Sequence, residues 1–345
     1  MKMKYFNAAL MSAVWIGWVL LGNTVQAQND RIYPSSGSPV IGSVAETSPQ
    51  GIQVKVGGNT QNFVAGEIEK ILFAGDSPAL TKGREFALDG QYDQAMQELK
   101  TVNIGELPRD VIKADAMFYT AYSMSQLAIA GKGNKQAAKQ AMLAFASKHR
   151  DSWHFFEAAK VLGDLALALG DQEGALKFYG SLRQAPTVNA KIEQVYLTGM
   201  VHLHSGDADA AITEFDKVLG LKVDSVEAAR LQSLSTAGKA AALASKKQAD
   251  EGLKLVSTLI REMNPTDVEM AARTYNAQGA IYEAKGDTEG AIMAYLHTHL
   301  MFSGQSDAHA VALSKLVELW PKVGKPERGA EARQELQQRY PGFGK

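Results

Sequence analysis

Residues 279–295 read GAIYEAKGDTEGAIMAY, and the pattern of this stretch decides the fold class. It predicts a helix, a tight turn at Gly286 and a second helix, because glycine readily takes the positive φ that ends a helix. Gly279 and Tyr282 precede Gly286 by seven and four residues, and Ala291 and Tyr295 follow it by five and nine residues. The small residues Gly279 and Ala291 let two helices approach closely, so the stretch predicts a helical hairpin.

The same offsets recur along most of the chain. The predicted turn positions are Gly90, Gly133, Gly170, Gly206, Lys247, Gly286 and Lys325. Consecutive positions are separated by 36 to 43 residues, and a period in this range is typical of an array of helical hairpins. The alternative is an irregular helical bundle in which small residues only relieve crowding. That alternative does not account for several copies that agree at four offsets.

This spacing resembles that of the tetratricopeptide repeat (TPR) family over about residues 80–340. The period is longer than the usual 34 residues of that family, and the tryptophan often found early in its first helix is missing. The resemblance implies a mainly α fold, with a right-handed α-solenoid of about seven TPR-like repeats over residues 78–345. It also implies a concave groove, lined by the first helix of each repeat, that binds a protein or peptide.

The N-terminus has the pattern of an exported protein. An uncharged run of 15 residues, 8–22, follows two lysines, and Val25 and Ala27 offer small side chains to a signal peptidase. We therefore expect residues 1–27 to be a signal peptide that is cut after Ala27, which predicts a periplasmic or secreted bacterial envelope protein. The run is shorter than the roughly 20 residues that span a bilayer. No integral membrane span is expected after removal of the leader, and an uncleaved anchor is the alternative.

Composition excludes several other classes of protein. The chain has no cysteine, so disulfide bonds and a cysteine-linked lipid anchor are excluded. Its formal net charge is −1, from 36 Lys and Arg against 37 Asp and Glu. A nucleic-acid binder would usually show a concentrated basic face, so no nucleic-acid partner is expected.

Residues before the repeats have a different pattern. Residues 28–39 are rich in Asn, Ser, Gly and Pro, which predicts a linker. Over residues 40–76, the alternation at 52–56 and the turn signal at 57–59 predict a small β-module of about four or five strands. Its general pattern resembles that of an SH3-like or Sm-like barrel.

No catalytic motif stands out. The chain has neither a Gly-x-Ser-x-Gly elbow nor a glycine-rich phosphate loop, and we expect no catalytic residue and no cofactor. Two histidine pairs, His202 with His204 and His297 with His299, are spaced two residues apart. Residues at that spacing point in different directions on a helix, so neither pair is expected to bind a metal.

The TPR resemblance places candidate partner-binding residues in the groove by helical phase. Arg273 and Asn276 lie one turn apart and are expected to hold a carboxylate or a peptide backbone. Tyr196 and Met200 are also one turn apart and are expected to hold an apolar side chain, with Lys160 in a preceding repeat. The alternative is that these residues are solvated or lie between helices.

Three functions remain open from the sequence. The preferred one is an exported, non-enzymatic scaffold that binds a protein or peptide in the groove. The second is a structural envelope protein that self-assembles. The third is an enzyme that acts on the cell wall, or its accessory subunit, and only the predicted compartment favours it.

Overall fold

A computed structural model describes residues 29–222, 224–341 and 343. The predicted signal peptide, residues 1–27, lies outside the described residues. Within them the chain forms five β-strands followed by fourteen α-helices. The prediction of a helical solenoid after a small β-module is therefore confirmed.

The β-module is one antiparallel sheet. Its strands are β1 Asp30–Pro34, β2 Val40–Ser48, β3 Gly51–Val56, β4 Asn59–Val64 and β5 Ile68–Leu72. They lie in the order β4-β3-β2-β1-β5, and a 3₁₀ turn at Ala65–Glu67 precedes β5. The first four strands form a meander, and β5 returns to pair with β1. The SH3-like or Sm-like barrel stays a prediction.

The linker predicted for residues 28–39 is wrong over β1. Ile32 is fully buried, and the Asp30 carboxylate accepts hydrogen bonds from the backbone N–H groups of Val44, at 2.7 Å, and Ala74, at 2.8 Å. The polar composition concealed a central strand because these backbone groups and Arg109, which lies 2.6 Å away before α3, satisfy the buried aspartate. Pro34 is tolerated because it is the last residue of the strand, where the register shifts.

The helices form seven consecutive hairpins. They are α1 Pro78–Leu88, α2 Tyr92–Leu99, α3 Asp110–Ile129, α4 Lys135–Lys148, α5 Phe155–Ala168, α6 Gln172–Gly180, α7 Val188–His204, α8 Ala208–Leu219, α9 Val226–Ser245, α10 Ala249–Glu262, α11 Val268–Ala284, α12 Thr288–Met301, α13 Ser306–Leu319 and α14 Pro326–Arg339. Each even-numbered helix packs against the first helix of its own hairpin and, up to α12, against that of the next. A repeat array is built in this way, with each unit in contact with its neighbours.

Most predicted turn positions adopt the backbone conformation that ends the first helix. Those with positive φ are Gly90, Gly170, Gly206, Lys247 and Gly286, with angles of 62° to 80°. The remaining two predictions are wrong by one or two residues, because Gly131 and Gly324 take the positive φ in place of Gly133 and Lys325. In both copies the true turn glycine lies close to the predicted position and ends the helix earlier.

A glycine in the first helix of several hairpins allows an aromatic ring of the second helix to lie against it. A Cβ atom added at Gly199 would lie 2.7 Å from the Phe215 ring, and one added at Gly279 would lie 2.6 Å from the Tyr295 ring. Phe215 also packs against Gly238 of the following hairpin, where an added Cβ would lie 2.5 Å from the ring. One aromatic residue therefore joins two repeats.

A buried ion network joins the β-module to the array. Arg84 on α1 is fully buried and binds Asp76, which follows β5, at 2.8 Å and Asp115 on α3 at 2.6 Å. Asp115 also contacts His154, before α5, at 3.1 Å. Burial opposes the charge on Arg84, but Asp115 and Asp76 outweigh it and raise its pKa. For His154 too, burial lowers the pKa, and the hydrogen bonds to Asp115 and Glu157 reverse this and raise it.

Replacing Arg84 tests this network. Arg84→Met is expected to lower the free energy of unfolding by about 3–5 kcal/mol, because Asp76 loses its counter-charge and buried Asp115 keeps only His154 as a partner. Urea unfolding followed by circular dichroism measures the loss. Lys132→Met, which removes an exposed pair with Asp93, is the control and should cost less than about 1 kcal/mol. Equal losses in the two variants would contradict the central role of Arg84.

The close helix contacts give a second test. Gly199→Ala is expected to destabilise the fold by about 1–3 kcal/mol, because the methyl group overlaps the Phe215 ring. Gly180 on α6 is the matched control, since an added Cβ there meets no atom within 4 Å. Gly180→Ala should leave stability unchanged or raise it by up to about 1 kcal/mol, because alanine is the better helix former. A neutral Gly199→Ala variant would show that the ring does not set the helix spacing.

Candidate functional site

The concave face of the array is lined by charged side chains from its first helices. Lys160 on α5 lies 3.4 Å from Glu193 on α7, and both side chains are about one-third exposed. Glu193 is the largest influence on Lys160 and raises its pKa, so the ammonium group stays protonated. The predicted candidate Lys160 therefore lies on the concave face and faces solvent as half of an ion pair.

Arg273 and Asn276 link neighbouring repeats. Arg273 on α11 binds Glu269 one turn earlier and Asp307 at the start of α13, both at 3.0 Å. Asn276 donates a hydrogen bond of 2.8 Å to the carbonyl oxygen of Ala308. Both predicted residues are therefore engaged between α11 and α13, although Arg273 keeps about one-fifth of its side chain exposed.

Tyr196 and Met200 lie in the hydrophobic core. Tyr196 is 3% exposed and Met200 9% exposed, and both pack in a cluster with Phe215. The expected open apolar contact is therefore not offered by this pair, because the face of α7 that carries it packs inward. Within the described residues the buried Tyr196 hydroxyl has no hydrogen-bond partner.

The repeat spacing did not predict the contribution of Arg230 on α9. Its guanidinium binds Asp267 at 2.5 and 2.9 Å and Glu269 at 2.8 Å. With Arg273 and Asp307 it completes a chain of ion pairs that runs from α9 through α11 to α13. The only signal in the sequence is a charged residue early in successive first helices, which also describes an ordinary solvated helix.

The array curves until the end of its last helix meets the turn of the second hairpin. A Cβ atom added at Gly131, in the turn after α3, would lie 2.0 Å from the carbonyl oxygen of Arg339 at the end of α14. The electrostatics agree with this closure. Burial raises the pKa of Asp164 on α5, and among its other neighbours Asp307 on α13 raises it further. Helices from distant repeats therefore face one another across a narrow concave face.

A cavity of about 330 Å³ lies between the β-module and the array. Its walls come from the 3₁₀ turn before β5, the start of α5 and the segment that leads into α7. The apolar lining residues are Ala65, Ile68, Trp153, Phe156, Leu182, Ala185, Pro186 and Ala190. Three charged side chains, Glu157, Lys160 and Glu193, also border it, so the cavity opens beside the Lys160–Glu193 pair.

The walls of this cavity are held in place by direct contacts. Gln50 in the β2–β3 turn donates a hydrogen bond of 3.2 Å to the carbonyl oxygen of Gln184. Gly66 lies so close to Thr187 that an added Cβ would be 2.8 Å from its methyl carbon. The Trp153 ring lies against His154, with ring centroids 3.7 Å apart and ring planes tilted by 33°. The cavity is therefore a fixed feature of the junction between the β-module and the array.

Comparison with known structures identifies the fold of the array. A crystal structure of a tetratricopeptide repeat protein from Parabacteroides merdae superposes with a TM-score of 0.52 at 19% sequence identity. The match covers 77% of this chain and 93% of that chain. At this identity the likeness shows the fold alone, and the TPR-like fold predicted from the repeat spacing is confirmed.

Sequence comparisons add no closer relative. No protein-family model matches the chain, and no curated protein matches it. Separately, none of the helices in the described ranges has the length and apolar character needed to cross a bilayer.

Proposed function

We propose that this protein is an exported, non-catalytic interaction scaffold that binds a protein segment at the cavity between the β-module and the array. A TPR-like fold is in general one that supports protein binding. The observation that carries the proposal is the cavity of about 330 Å³ with an apolar lining and a charged rim. Binding sites are commonly concave and apolar, with a few polar groups that orient the ligand.

The chemistry of the cavity defines the segment that would fit. Its aromatic wall, Trp153 and Phe156, favours an apolar side chain. The rim carries two carboxylates, Glu157 and Glu193, and one ammonium group, Lys160, so it favours a cation. The partner segment therefore has an apolar residue next to a lysine or arginine.

We place the partner at the β-module end because the side chains on the rest of the concave face are already engaged. There the charged groups already bind one another, and Tyr196 and Met200 are buried. A partner at Arg273 would have to replace its ion pairs with Glu269 and Asp307, which is costly for partly buried charges. The cavity offers apolar surface that no ion pair covers, and at its rim a basic residue of the partner competes only with Lys160 for Glu193 and with His154 for Glu157. Export through a signal peptide cut after Ala27 is part of the proposal.

A displayed peptide library, selected on the leaderless chain, tests this function. Selected peptides are expected to share an apolar residue beside a basic one, and their affinity should fall as salt increases. Ala190→Phe fills the cavity and should weaken binding at least tenfold. Ala144→Phe is the matched control, because Ala144 is exposed on α4, and it should bind as the unmodified chain does.

Charge exchange separates binding from folding. Lys160→Glu combined with Glu193→Lys keeps an ion pair but places the acid on α5 and the base on α7. The fold should therefore persist, while the affinity for the selected peptides falls. The same exchange at Glu214 and Lys217 on α8 is the control. Peptides that bind all variants equally, or a library without any enrichment, would refute the cavity as the binding site.

Self-association is a second candidate function, favoured by one exposed apolar strip on α12. Met293, Leu300 and Met301 are 57%, 67% and 69% exposed and lie at helical spacing on one side of the helix. Soluble proteins seldom leave such a group uncovered unless it meets a partner.

Sedimentation of the leaderless chain over a range of concentrations decides this second candidate. We expect dimers that Leu300→Lys with Met301→Lys converts to monomers, because lysines cannot be buried in an apolar contact without cost. Val226→Lys is the control at an isolated residue that is 82% exposed. A chain that is monomeric at every concentration would remove self-association from consideration.

A further inference from the structure

Three metal-binding side chains converge in the last two repeats. His299 comes from α12, His309 from α13 and Glu335 from α14, and one ligand atom from each lies within 4.8 Å of the others. His299 Nδ1 lies 2.8 Å from His309 Nε2. The Glu335 carboxylate lies 4.0 Å from the same His309 Nε2 atom, and 3.8 Å from Nε2 of His299, which is the other nitrogen of that ring.

We propose that this cluster, His299–His309–Glu335, is a binding site for a divalent transition-metal ion, with Zn²⁺ as the best match. Two imidazole nitrogens and one carboxylate oxygen form a ligand set that Zn²⁺ takes in proteins, with water as the fourth ligand. Zinc bonds of roughly 2.0–2.1 Å place tetrahedral ligand atoms about 3.3 Å apart. Side-chain shifts of about half an ångström would open the two histidines to that spacing.

The surroundings fit a metal site in two respects. His309 is fully buried, and its Nδ1 lies 2.7 Å from the Tyr340 hydroxyl. A hydrogen bond on that nitrogen leaves Nε2 directed at the cluster, and metal-binding histidines usually have such a partner on the second nitrogen. His299 and Glu335 are 21% and 35% exposed, so an ion and a water ligand can reach the site from solvent.

The position of the cluster gives the metal a structural consequence. Tyr340 directly follows α14, and its backbone lies against Gly131, where the last helix meets the second hairpin. A metal ion held by α12, α13 and α14 would fasten the last helix and, through Tyr340, the closure of the array. The spacing of His297 and His299 on one helix argues against a metal site made by that pair alone. The cluster proposed here takes its ligands from three different helices.

Titration of the untagged, leaderless chain with Zn²⁺ tests the proposal. Isothermal titration calorimetry is expected to show one ion per chain, and the thermal unfolding temperature should rise with Zn²⁺ but not with Mg²⁺. His299→Gln and Glu335→Gln, both at the surface, should each weaken binding at least tenfold. They avoid the risk that a change at buried His309 unfolds the chain.

Two further variants make the outcome decisive. His297→Gln is the histidine control, because His297 stacks on Tyr275 outside the cluster, and it should bind Zn²⁺ unchanged. Arg339 binds Glu335 at 3.1 Å, so Arg339→Gln should free the carboxylate and tighten binding. Absence of one-to-one binding, or equal binding by His299→Gln and the unmodified chain, would show that the two histidines form only a hydrogen bond. Unchanged Zn²⁺ binding by Glu335→Gln would exclude Glu335 as a ligand.

Discussion

The rest of the structure depends on the charge compensation of Arg84. A guanidinium without exposed surface is costly unless carboxylates surround it, and here Asp76 and Asp115 reach it from two different segments. His154 extends the network to the start of α5, and its ring lies against Trp153, which forms part of the cavity wall. If the β-module separated from the array, Arg84 would lose Asp76, and the buried Asp30 carboxylate on β1 would lose its 2.6 Å ion pair with Arg109, which precedes α3. The same network therefore joins the two parts of the chain and orients the surface where a partner is proposed to bind.

Further along the chain, the arrangement of the repeats depends on the distance between the two helices of each hairpin. Where Gly199 meets Phe215 and Gly279 meets Tyr295, the missing Cβ sets the distance between the two helices of a hairpin. In an array each unit contacts its neighbours, so a small rotation per repeat accumulates into overall curvature. Here the curvature brings the end of α14 onto Gly131. Closure is thus a consequence of many local contacts, and it sets the width of the concave face.

The sequence predicted the helices and turns within each repeat. It did not predict the side-chain contacts between repeats. Hairpins and most turns follow from offsets within about forty residues, and even Lys247 takes the positive φ of the glycine that it replaces. By contrast, the ion pairs of Arg230 and the inward packing of Tyr196 depend on how one repeat is rotated against the next. Strand β1 was not predicted because the polar group that suggested a linker, Asp30, is satisfied by distant backbone.

Closure also changes how the concave face can be used. In an open array the first helices present free side chains to a long groove, and that picture led to the prediction at Arg273 and Asn276. In this chain the opposing helices are close enough for Asp307 to affect the pKa of Asp164, and the charged groups pair across repeats. Apolar surface is left open where the array meets the β-module, because a sheet and a helix layer do not fill the space between them. The extra β-module therefore forms one wall of the surface where a partner is proposed to bind, away from the face that closure of the array narrows.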